Sequence, residues 1–83
     1  MTDDRLMMEG KLTQLEREEQ NLELKVEGLC ESLRGKLNTA LTPVKELQSA
    51  QIIQLSKDFS LTYMRLQGVY GKIDRLKREL GRG

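Results

Sequence analysis

The stretch IIQLSKDFSLTYMRLQGVYGKIDRLKREL, residues 52–80, decides the fold. Within it Ile52, Leu55, Phe59, Thr62, Leu66, Val69, Ile73, Leu76 and Leu80 recur in alternating steps of three and four. That spacing lines one face of an α-helix with a heptad seam, which packs along its length on another helix. Thr62 is the one polar residue on it. Gly81-Arg82-Gly83 closes the pattern. Upstream, Thr42-Pro43 is a start signal, with Thr as N-cap and Pro at the first helical position. A second helix is therefore predicted over about 43–80. Leu41, Val44 and Leu47 are read as out of phase with the later seam, so the first turns of that helix are expected to wrap the hairpin tip.

The partner helix lies earlier in the chain. Met8, Leu12, Leu15, Leu22, Val26, Leu29 and Leu33 keep the same steps, with Glu19 filling the one gap. Flanking positions are mostly Glu, Gln, Lys and Arg, which favour helix where exposed. Asp3 and Asp4 suit a helix N-terminus, and Gly35 suits the residue just past a helix end, with a later end at Asn38 as the alternative because Leu37 extends the stripe. A first helix is predicted over about 3–35, with a connection over about 36–42, short enough to join antiparallel helices. The expected fold is all-α: residues 1–83 form a single two-helix antiparallel coiled-coil hairpin that dimerises into a four-helix bundle. A parallel or extended dimer using the two seams separately is the alternative.

Charge agrees with this layout. Lys+Arg number 14 and Asp+Glu 13, so the formal net charge is +1. Residues 1–35 hold nine acids and five bases, and residues 36–83 four acids and nine bases. An acidic helix would thus lie beside a basic one, with Asp3 and Asp4 near Lys72–Arg78. A turn near residue 39 sets Leu12 level with Leu66, Glu19 with Phe59 and Val26 with Ile52. The Tyr63 and Tyr70 hydroxyls then approach Glu16 and Glu9. In this register Lys11 would meet Arg65 and Glu18 would meet Asp58, so like charges would face each other. Ile73, Leu76 and Leu80 would pass the end of the first helix and lack an intrachain partner. Burying such a side chain is worth ~1.5–3 kcal/mol, so a second copy of the chain is expected to cover them.

The outer side of the second helix points the same way. Leu61, Met64, Gly68 and Gly71 share a face there. A solvated face would normally carry charge, and each Gly inside a helix costs ~1 kcal/mol relative to Ala. A contact face for another helix is the favoured reading, and a kink or end of the helix at Gly68 or Gly71 is the alternative.

Composition excludes several chemistries. The chain has no His and one Cys. Imidazole bases, Ser–His or Cys–His pairs, His metal ligands, an intrachain disulfide and CxxC sites are all ruled out. Cys30 is read as a small, partly buried side chain. The cluster Glu16, Glu18, Glu19 and Glu23 lacks the Glu-x-x-His partner of a bundle metal site. Glu19 reads as a polar seam residue that fixes register or oligomer state, or as one simply exposed at a loose part of the seam. Thr62 reads as its counterpart on the second helix, whose hydroxyl can bond the carbonyl one turn back. Gly68-Val69-Tyr70-Gly71 matches GxxG but sits inside a heptad run, unlike an RNA-clamping loop. No phosphate-binding or dinucleotide motif occurs. Arg75, Arg78 and Arg82 share an outer face and read first as a solvated helix end whose cations suit the C-terminal dipole. They could also touch phosphates or an acidic partner, though three cations give only weak, salt-sensitive binding.

The N-terminus Met1-Thr2-Asp3-Asp4-Arg5 lacks the apolar stretch of a signal peptide. Apolar runs reach only three residues, as in Leu6-Met7-Met8, far below a membrane span. A reducing, cytoplasmic setting is expected. Chains this short usually need a metal, a disulfide or a partner chain for stability. The expected function is therefore non-enzymatic, without cofactor: an adaptor, scaffold, small chaperone or inhibitor that works through helix faces. Its first partner would be itself, and its second another helical protein. Contacts are expected at Leu61, Met64, Gly68, Gly71, Ile73, Leu76 and Leu80. A small nucleic-acid-associated regulator using the arginine face is the second reading.

Overall fold

The computed structural model describes residues 2–81, so Arg82 lies outside the described residues. Two helices, α1 (Thr2–Lys36) and α2 (Ser49–Glu79), pack antiparallel into a hairpin, with no strand among the described residues. The result is a rod of 63 × 17 × 16 Å with a radius of gyration of 18.4 Å. A compact chain of this length would have a radius near 12 Å. Every seam position expected from the sequence is buried or half-buried, from Met8 to Leu33 in α1 and from Ile52 to Leu80 in α2. Leu12, Leu22, Leu66, Val69, Ile73 and Leu80 form the buried core, and Thr62 is buried among the seam residues of α2.

The turn differs from expectation. Thr42-Pro43 starts only a single 3-10 turn, Val44–Glu46, after which Leu47 returns to extended backbone at ψ 133°. α2 begins at Ser49 instead of residue 43. The seam does not extend back: the positions that would continue it, 45 and 48, hold Lys45 and Gln48, and Leu41 and Val44 are exposed. A helix continued through them would gain no packing, and packing supplies most helical stability. The connection therefore runs from residue 37 to residue 48. Asn38 organises its start: its side-chain oxygen accepts from the Ala40 N–H at 3.0 Å and its carbonyl from the Thr42 N–H at 3.1 Å. α1 runs through Gly35 without a left-handed residue. Gly81, at φ +75°, takes the left-handed position that ends α2.

A later turn shifts the register. Arg5 Nη2 donates to the Leu80 carbonyl at 3.3 Å, Arg65 Nη2 lies 4.0 Å from Glu18 Oε1, and Lys36 Nζ donates to Gln48 Oε1 at 2.9 Å. The residue numbers of these pairs add to 85, 83 and 84, against an expected 78. The slip is about one heptad. Such a slip keeps every seam residue on the seam while changing its neighbour. It replaces the expected clash at Glu18 with an ion pair to Arg65. It also brings Arg5 level with Leu80, so Asp3 and Asp4 lie beyond Lys72–Arg78 instead of beside that segment.

The same slip corrects the apolar overhang. Ile73 and Leu80 are each only 5% exposed within the single chain, and Leu76 is half-buried against the core. Arg5 closes this pole of the rod by supplying a cationic donor to a carbonyl at the C-terminus of α2. Lys36 closes the other pole through Gln48, the residue before the first turn of α2.

Candidate functional site on the outer face of the second helix

α2 is continuous through Gly68 and Gly71, so neither glycine ends it. Leu61 and Met64 are 62% and 63% exposed. Both glycines are exposed, and a Cβ built on either would meet nothing within 4 Å. Two large apolar side chains and a flat glycine step therefore stand open to solvent on one helical face. Of the expected contact residues, Leu61, Met64, Gly68 and Gly71 lie on this surface. Ile73 and Leu80 lie in the hairpin's own core, with Leu76 packed beside them.

Charge frames that face at its C-terminal end. Arg78 Nη2 bonds Asp74 Oδ2 at 2.9 Å, one turn away and in solvent. The pair takes up one cation of the expected phosphate-binding stripe. Exposed Arg75 lines a groove with Lys11, Leu15, Lys72, Leu76 and Glu79, so three cations and one acid meet across the two helices. An excess of two positive charges in one open groove is a small field for a polyanion. No group of three or more potential metal-ligating side chains occurs among the described residues, and no described helix is long and apolar enough to cross a membrane.

The two flanks of the seam differ. One flank carries the Glu18–Arg65 pair. The other carries Tyr70, whose hydroxyl donates to Glu23 Oε2 at 2.6 Å, while Phe59 and Tyr63 stack with ring centroids 5.7 Å apart. Tyr70 therefore pairs with Glu23 and not with Glu9. The hydrogen bond to Glu23 is the main cause that pushes the Tyr70 hydroxyl from 10.0 up to about 12; partial desolvation and the charges of Glu23 and Glu19 add to it. Glu19 is half-buried on the seam, and Cys30 is a free, half-buried thiol. The sequence pointed to both tyrosines at the seam's edge but misplaced the partner of Tyr70, because a side chain this long magnifies a register error.

No protein-family model, curated protein or solved structure matches this chain.

Proposed function

We propose that the chain is a non-enzymatic helical interaction protein, of the adaptor, scaffold, small-chaperone or inhibitor type, that acts through helix faces and self-association. The observation that carries this reading is the open face of α2, where Leu61 and Met64 stand exposed beside Gly68 and Gly71. A helix interior that accepts two glycines gives up ~1 kcal/mol at each relative to Ala. Close approach by another helix would return that cost. On this reading the working form is a homodimer, with four helices in contact, and the setting is cytoplasmic. Another helical protein is the second partner class.

The test is a sedimentation and pull-down series with the full chain. Leu61→Glu and Met64→Glu sit in solvent, so helicity should be unchanged while binding to the protein's own copy or to a helical partner weakens. If both variants retain wild-type association and wild-type partner recovery, the α2 face is not the contact surface. The nucleic-acid alternative requires binding at low ionic strength that collapses with salt and weakens in Arg75→Ala/Arg78→Ala. No binding at low ionic strength removes it.

A further inference from the structure

Packing along the rod is uneven. All six buried apolar residues lie in the half that holds the chain ends. From Val26 to Phe59 every seam position is only half-buried. This tip half, residues 23–61, also exposes Leu24, Leu37, Leu41, Val44, Ile53 and Leu61. It carries five acids and five bases, against eight acids and nine bases in the remaining residues. The tip half is thus neutral, sparse in charge and incompletely covered.

One flank of it is the least polar. The Tyr70–Glu23 bond marks that flank. Stepping by seven toward the tip from these two residues gives Cys30 and Leu37 on the α1 side, and Tyr63 and Ser56 on the α2 side, with no charge among them. Ile53 adjoins them on α2 and is exposed, and Glu27 and Arg34 hold the same heptad position on α1. The opposite flank carries Glu18 and Arg65, then Lys25 and Asp58.

Area gives the scale of what is missing. The chain exposes 6483 Å² for 9.6 kDa, whereas a compact monomer of that mass exposes about 5,100 Å². The excess is spread over the whole elongated rod, and in total it exceeds the roughly 800 Å² that each partner contributes to a standard stable interface.

We infer that the flank of the tip half that carries Cys30, Leu37 and Ser56 is covered by the same flank of a second copy. The two hairpins overlap antiparallel at their tips, and the two pairs of chain ends project at opposite poles. This rests on the self-association part of the reading above but moves the contact between copies from the α2 outer face to the tip flank, so that the outer face serves the second partner class. A neutral, balanced surface offers no field to nucleic acid or to an anionic membrane. A half-covered seam is completed by an equal half-covered seam in an isologous contact. Full side-by-side alignment would instead press the charge-dense end halves together and desolvate them.

The test uses the full chain. Sedimentation at micromolar concentration should give a dimer. Leu37→Glu and Ile53→Glu, both at exposed positions, should each raise its dissociation constant at least tenfold with helicity retained, while Met7→Glu at the far pole leaves it unchanged. A spin label on Asp3→Cys in a Cys30→Ser background should give no dipolar coupling within 63 Å, the length of one rod. A dimer whose Asp3 labels couple at shorter range overturns tip overlap but leaves self-association standing. So does a dimer weakened by Met7→Glu or Leu61→Glu and not by Leu37→Glu or Ile53→Glu. A monomer at every concentration overturns both.

Discussion

At the residue scale, the Tyr70–Glu23 hydrogen bond joins the helices across the seam and can be read by pH. The folded chain holds the Tyr70 proton more tightly than the unfolded chain, with a pKa of about 12 against 10.0. A raised pKa contributes stability that is fully present below pH 10 and is lost as pH climbs toward 12. The melting temperature of the wild type relative to Tyr70→Phe should therefore be constant below pH 10 and fall between pH 10 and 12. Circular dichroism melts across that window check it, and a difference independent of pH would mean the bond does not form in solution. Arg5 is the second residue with a specific duty. Arg5→Ala removes the donor to the Leu80 carbonyl, and amide exchange in the last turn of α2 should quicken before exchange in its middle.

At the element scale, the seam divides into a tight half and a loose half. Leu12 and Leu66 are 1% and 2% exposed, while Leu29 and Leu55 are half-buried. Leu66→Ala should cost ~2–5 kcal/mol, as truncations in closed cores do. In the monomer, Leu29→Ala should cost less, because water already reaches the site. Chemical denaturation of both variants below the association range checks the ranking. Ile73→Glu should unfold the hairpin itself, since Ile73 is core and not overhang. Both helices and all their seam residues were legible in the sequence because a period of 3.5 repeated over many turns has few other readings. The register was not legible. Moving one helix by a heptad leaves the period unchanged, so only the turn position fixes it. The signal used for the turn, Thr42-Pro43, was spent on one 3-10 turn. That single misplacement moved Ile73 and Leu80 from apparent overhang into the core. The glycines of α2 were legible as unusual, and the alternative in which one of them ends the helix is set aside by a continuous α2. Because a Cβ at Gly68 or Gly71 meets nothing within 4 Å, Gly→Ala at either should stabilise the monomer by ~1 kcal/mol. That corresponds to a rise in melting temperature of roughly 4–8 °C. If either substitution instead weakens an association, a helix approaches there.

At the scale of the whole molecule, the chain is a two-layer rod with more surface than a compact chain of its mass needs. Its sealed pole carries the stacked core and dense, mixed charge; its tip carries the half-buried seam and most of the exposed aliphatic residues. This polarity separates the candidate assemblies by shape alone. A monomer should scatter X-rays with a radius of gyration near 18.4 Å and a longest dimension near 63 Å. A side-by-side dimer would keep that longest dimension while doubling the mass. Overlap of tip halves alone, about 20 helical residues or roughly 30 Å at 1.5 Å per residue, would stretch the particle to about 95 Å. The scattering curve therefore has to lengthen as the mass doubles if the unfinished half of the seam is what draws two copies together. Doubling without lengthening would mean that the charged end halves tolerate close packing, and that the gradient in burial along the rod does not select the interface.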